Sequence, residues 1–210
     1  MAYRETEKMR QRKAAARQRI AECTYQCVAE GGFRNAKITR VAQLAGVATG
    51  TIYRHYESKE DLFAEVFRKA TQREVDKVAE VLATPGTATA RLEKALRQFA
   101  ERALKAPVMA LSLIAEPVDP KVEEERLAYR KAYADLFEQA IREGIEEGCI
   151  PDQDARQSST CLVGAIAESL VGPLSPTQTS QAAADETDNK DPLANTIIRF
   201  CIQGLTGTRR

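Results

Sequence analysis

One histidine in 210 residues limits the chemistry this chain can carry. That residue, His55, has no companion set of cysteine, serine and aspartate arranged for nucleophilic catalysis, so no catalytic residue is assigned and an enzyme is not expected. Cysteines number five (Cys23, Cys27, Cys149, Cys161 and Cys201), an odd count without a close Cys-x-x-Cys pair. This argues against a disulfide framework and against a zinc site, and fits reduced thiols. No glycine-rich phosphate loop appears, and no cofactor or metal is expected. Long apolar runs are missing too. The longest mainly apolar run, Val108 to Ala115, is far short of the ~20 residues that cross a bilayer, and the opening Met1 to Lys8 has no apolar core of a secretory leader. No membrane contact and a cytoplasmic location are therefore expected.

What is present is an uneven charge. Residues 1–59 carry 12 Lys and Arg against 5 Asp and Glu, a net of +7; residues 60–210 carry 19 against 25, a net of −6. A basic head on an acidic body suits a polyanion bound at one end. Within that head, Thr39 to Lys59 reads as two short helices around a tight turn. Thr39 is placed to cap the first helix and Thr49 the second. Gly46 stands where a helix ends in the left-handed conformation. Ile52 and Tyr56, four apart, define a buried face. The opposite face presents Thr49, Thr51, Tyr53, Arg54 and His55, with no acid before Glu57. A second helix of this kind fits the major groove of double-stranded DNA. Arg54 suits two-fold pairing with guanine, and Thr49 and Thr51 suit base edges.

The set Ile38-Thr39, Val41-Ala42, Ala45-Gly46-Val47, Thr49-Gly50-Thr51, Tyr53, His55-Tyr56 and Lys59 resembles the DNA-binding signature of tetracycline-repressor (TetR) family regulators, over roughly residues 10–65. Two positions depart from the usual pattern: Tyr56 stands where phenylalanine is common, adding a hydroxyl that needs a partner, and Ala48 where a hydroxyl residue is common. By residue-for-residue match, the resemblance implies that Thr39, Tyr53, His55 and Lys59 bind phosphate and that Gly50 allows close backbone approach. It also implies an effector bound in the body that alters the spacing of paired heads. Other readings of the same residues stand beside these: Tyr53 as a packing aromatic, His55 as a helix-end cation, and Arg10 to Arg19 as a solvated helix face.

The rest of the chain reads as helix. A first helix runs from about Arg10 to Gly31. Another opens at the capping box Ser58-Lys-Glu-Asp61. A long helix over about 121–147 carries Leu127, Tyr133, Leu136, Phe137, Ile141 and Ile145 inward. A polar linker extends from Gly172 to Lys190. The expected fold is all-α: a three-helix helix-turn-helix domain over 1–59 and a helical effector-binding and dimerisation domain over 60–210. Apolar helices at about 155–171 and 193–205 are candidates for a homodimer bundle, which would set two readers on a palindromic operator. Phe99, Met109, Leu113, Tyr133, Phe137, Cys161 and Ile166 are candidates for an effector pocket, against the plainer reading that they are core. The function expected is a homodimeric repressor released by a small, largely apolar effector. The alternatives are redox sensing through Cys149 or Cys161, and DNA binding without an effector.

Overall fold

The computed structural model describes residues 7–175 and 191–207. Among them every regular element is a helix: α1 (Glu7–Asn35), α2 (Ile38–Ala45), α3 (Thr49–Ile52), α4 (Lys59–Leu82), α5 (Ala88–Lys105), α6 (Pro107–Ile114), α7 (Pro120–Glu146), α8 (Ala155–Leu174) and α9 (Asp191–Thr206). No helix in the described residues is long and apolar enough to cross a membrane. Nor do they hold a cluster of His, Cys, Asp and Glu side chains fit for a metal ion.

Local chemistry accounts for most helix ends. Ser58 accepts from the Asp61 N–H at 3.1 Å, as the capping box predicts, and its hydroxyl also donates to the Asp61 carboxylate. Thr87, Asp119 and Asp154 cap α5, α7 and α8 in the same manner. Pro107 and Pro120 fall in the first turn of α6 and α7, where a missing N–H costs no helix bond. The linker predicted from Gly172 begins later, because α8 runs through Pro173 to Leu174. The stretch 176–190 lies outside the described residues.

Two apolar cores share α4. The first gathers Ile20, Val28, Phe33, Val41, Ile52, Leu62, Phe63 and Phe67, and is completed by Met109 and Val122 from α6 and α7. The second gathers Val78, Leu92, Leu96, Phe137, Ile141, Leu162, Leu170 and the inward face of α9. Leu127 does not join either. It is 57% exposed, because α7 turns Val122, Arg126 and Phe137 inward and Leu127 lies one residue off that face.

Candidate DNA interface and body cavity

Gly46 closes α2 with φ 70° and ψ 35°, the left-handed geometry that a Cβ opposes. The chain then re-enters helix at Thr49. Neither predicted threonine cap is used. Lys37 and Ala48 occupy the positions before α2 and α3, and neither helix start has a side-chain cap. Thr39 and Thr49 therefore lie inside the first turns, with both residues exposed. The second helix is also shorter than predicted. It ends at Ile52, and Tyr53 to His55 continue as a tight turn. The Tyr56 N–H still bonds the Ile52 carbonyl at 3.0 Å, so Ile52 and Tyr56 keep one buried face, at 0% and 3% exposure. Opposite it, Thr49, Gly50, Tyr53 and Arg54 are exposed, while Thr51, His55 and Lys59 are half-buried.

The buttress behind this face comes from α1 and α4. Arg17 Nη1 donates to the His55 carbonyl at 2.9 Å, and its Nε donates to Glu65 at 3.0 Å. Tyr56 donates its hydroxyl to Glu65 at 3.2 Å, and the Arg17 guanidinium lies over the Tyr56 ring. Lys69 is a third partner of the same carboxylate. Burial pushes the Glu65 carboxyl up, but hydrogen bonds from Arg17 and Lys69 outweigh it and hold the group below its usual range. Arg19 Nε caps the end of α2 through the Ala45 carbonyl at 2.8 Å. Two arginines of the α1 cationic run thus brace the reader, and Arg10 pairs with Glu7. The Tyr56 hydroxyl is the one sign of this network in the sequence, and nothing local points to its partner Glu65.

A cavity of about 280 Å³ lies where α1 and α4 meet α5 to α8. It brings together Phe99, Met109, Leu113, Tyr133, Phe137 and Ile166. Cys161 is the exception among the predicted lining residues. It is exposed on α8, one position short of the inward face formed by Leu162, Val163 and Ile166. Polar residues absent from the sequence reading also line the space: Thr71, Glu74, Arg102, Lys105, Arg126 and Arg130. Arg126 is 6% exposed. Burial pushes its pKa down, yet a guanidinium stays charged. It is satisfied by the carbonyls of Ser112, Leu113 and Glu116 and by the Glu123 carboxylate.

That arginine ties the cavity wall to the head. Glu116, just past α6, accepts from the backbone N–H groups of Phe33 and Arg34, both at 2.9 Å. The approach requires Gly32. Its φ is +77°, and a Cβ there would come within 2.8 Å of the carboxylate oxygens. A continuous set of bonds therefore links Arg126, the end of α6, Glu116 and the segment that leads into α2.

An exposed, acid-free turn on a braced helical head, joined to a helical body with a cavity, is the arrangement of a DNA-binding regulator. Family profiles agree: residues 20–66 match the bacterial regulatory proteins of the tetR family, and residues 85–185 match a tetracyclin repressor-like C-terminal domain. The chain belongs to the TetR family. A fatty acid metabolism regulator protein of Bacillus subtilis is 24% identical over 191 residues, covering 89% of this chain and 93% of the relative. Among solved structures, the transcriptional regulator FadR from Bacillus subtilis in complex with stearoyl-CoA superposes with a TM-score of 0.71 at 20% identity, covering 90% of this chain and 98% of that one. A transcriptional regulator from Saccharomonospora viridis in complex with choline gives 0.71 at 22% identity, covering 93% and 100%. Those likenesses establish the shared fold.

Proposed function

We propose that the protein is a homodimeric repressor whose paired readers grip a palindromic operator, and that a small, largely apolar effector in the body cavity releases them. The observation that carries this reading is the exposed face of α3 on a head of net charge +7. In it, Thr49, Thr51 and Arg54 meet base edges, while Thr39, Tyr53, His55 and Lys59 meet phosphates. Gly50 fits a close approach: a Cβ there would meet nothing of the chain within 4 Å, so the fold itself does not demand glycine at that site. The reader would be residues 1–59 and the body 60–210, with α4 common to both cores. Pairing is assigned to α8 and α9. Most apolar residues of α9 are buried within the body, but Phe200 stands 68% exposed on its outer side. The protein would act in the cytoplasm.

The test is direct. Arg54→Ala is expected to cost about 1–3 kcal/mol of operator affinity and to relax preference at the base it contacts. Binding of duplexes selected from a random pool measures both. An Arg54→Ala protein with unchanged preference contradicts the assignment.

Release would run through Glu116. An effector that fits better when α6 shifts draws the Phe33–Arg34 backbone with it, and the recognition turn follows. Glu116→Gln is expected to raise the effector concentration for half-release about tenfold and to change unliganded operator affinity by no more than about twofold. A normal dose–response in that variant would remove Glu116 from the path. No geometry favours the thiol-sensing alternative: Cys149 is bonded by the Thr89 hydroxyl at 3.3 Å, and neither it nor Cys161 lines the cavity.

A further inference from the structure

Glu65 is an acid packed behind the face assigned to a polyanion. Arg17 Nε donates to its Oε2 at 3.0 Å, and Arg17 Nη1 donates to the His55 carbonyl at 2.9 Å. One guanidinium therefore joins the carboxylate to the last residue of the recognition turn. The Tyr56 hydroxyl reaches Glu65 Oε1 at 3.2 Å and lies 3.3 Å from the Arg17 carbonyl. Lys69, one turn along α4, holds the same Oε1 at 2.8 Å. The Glu65 side chain is 13% exposed, against 49% for Arg17, so the acid is the enclosed centre of the set and the guanidinium its outer arm. A phenylalanine would fill the buried place of the Tyr56 ring; only the hydroxyl reaches Glu65.

The turn needs such a centre. α3 has four residues, far fewer than the ~12–15 at which a lone helix is even marginal, and its start has no side-chain cap. Bonds from the Arg54 N–H to the Thr51 carbonyl and from the His55 N–H to the Ile52 carbonyl close the turn on itself, at 3.2 and 2.9 Å. They do not fix where it sits on the head. Ile52 and Tyr56 anchor it by burial, and Arg17 anchors it by a directed bond to its backbone. Two effects of the Glu65 charge oppose each other. Through space, a carboxylate in the head repels phosphates. Through Arg17, it sets the turn before the duplex arrives, and a preset site loses less freedom on binding. The second effect wins here. The charge is already matched by Arg17 and Lys69, so little of it is felt outside, while charge-assisted bonds to a mostly buried carboxylate are the strong ones.

We propose that Glu65 is a positioning residue for DNA recognition: with Arg17 and the Tyr56 hydroxyl, it holds the Tyr53–His55 turn in the conformation that reads the duplex. It touches neither base nor phosphate. This rests on the reading of the turn as the DNA-contacting face and adds a residue that acts through its neighbours. The sign of its effect is opposite to simple electrostatics. Neutralising this acid weakens the grip on a polyanion.

Fluorescence anisotropy of the full chain tests this, on the duplex it selects from a random pool and on an unrelated duplex, with stoichiometric titration to count active molecules. Glu65→Gln is expected to weaken binding of the selected duplex about tenfold, as when the reading conformation falls to about a tenth of the molecules. Affinity for the unrelated duplex is expected to stay within about twofold, and the salt slope to stay unchanged, because no phosphate contact is lost. Tyr56→Phe keeps the ring in the core and is expected to weaken selected binding about threefold. Added to Glu65→Gln it should cost nothing more, since both act through one carboxylate. A Glu65→Gln protein that binds the selected duplex equally or more tightly overturns the proposal. So does one whose only defect is a lower active fraction, or one that loses both duplexes alike. Should Glu65→Gln fail to fold, Tyr56→Phe decides the matter, and unchanged affinity for the selected duplex overturns the proposal. If the unaltered chain selects no duplex, the regulator reading falls and the positioning role with it. If it selects one and the variants match it, only the positioning role falls.

Discussion

Raising the salt from 50 to 200 mM is expected to lower operator affinity by about 10³–10⁵-fold, the response of a protein that makes 6–10 phosphate contacts. That number follows from about three to five cations per head, doubled by pairing of two copies. Arg54 and Lys59 lie beside the recognition turn, with Lys37 and Arg40 at the start of α2. Arg17 and Arg19 are not counted, because their guanidiniums are spent on carbonyls and on Glu65 inside the head. Log affinity should fall linearly with log salt, with a slope near −0.9 for each contact. Filter binding or fluorescence anisotropy across a salt series checks this. A slope of half the expected size would mean that a single head holds the duplex. A flat response would remove the electrostatic basis of the interface.

The largest effect on stability is expected at Phe67. Its ring is 1% exposed, 6.2 Å from Phe33 and 6.4 Å from Tyr129, with the Arg126 guanidinium 5.8 Å above it. The same ring lines the cavity. Phe67→Ala removes packing from both the head core and the cavity wall, and is expected to lower unfolding free energy by about 3–5 kcal/mol. The cost should sit toward the upper end, because the empty volume joins an existing cavity that cannot collapse around it. Leu127→Ala is the control: exposed on α7, it is expected to change stability by no more than about 0.5 kcal/mol. Urea denaturation of both variants gives the comparison. Similar costs at the two sites would refute the placement of Phe67 in the core between head and body.

How much of this was legible in the sequence depended on the range of the interaction. The left-handed turn at Gly46, the Ser58–Asp61 box and the shared face of Ile52 and Tyr56 are set within four residues, and the sequence is enough to place them. The threonine caps failed although they are local signals. The cap positions fall one residue before Thr49 and two before Thr39, on Ala48 and Lys37, and neither start has a side-chain cap. Leu127 and Cys161 failed for a second reason. On a helix a one-residue step turns the side chain about 100°, and a stripe of apolar letters does not fix which edge of it faces inward. The bonds of longest reach were out of view: Arg17 meets Glu65 across 48 positions, and Glu116 meets the Phe33 backbone across 83. The cavity's polar lining escaped because an apolar filter discards Thr71, Arg126 and Arg130. They are found only once α4 and α7 stand side by side.

The protein alone, and then the protein with its selected duplex, examined by sedimentation equilibrium, give the most direct measurement. Two chains are expected in solution and two chains on one palindromic duplex, with the half-sites about one helical turn apart, ~34–36 Å, or a related spacing. A single chain bound to a site without symmetry would contradict it.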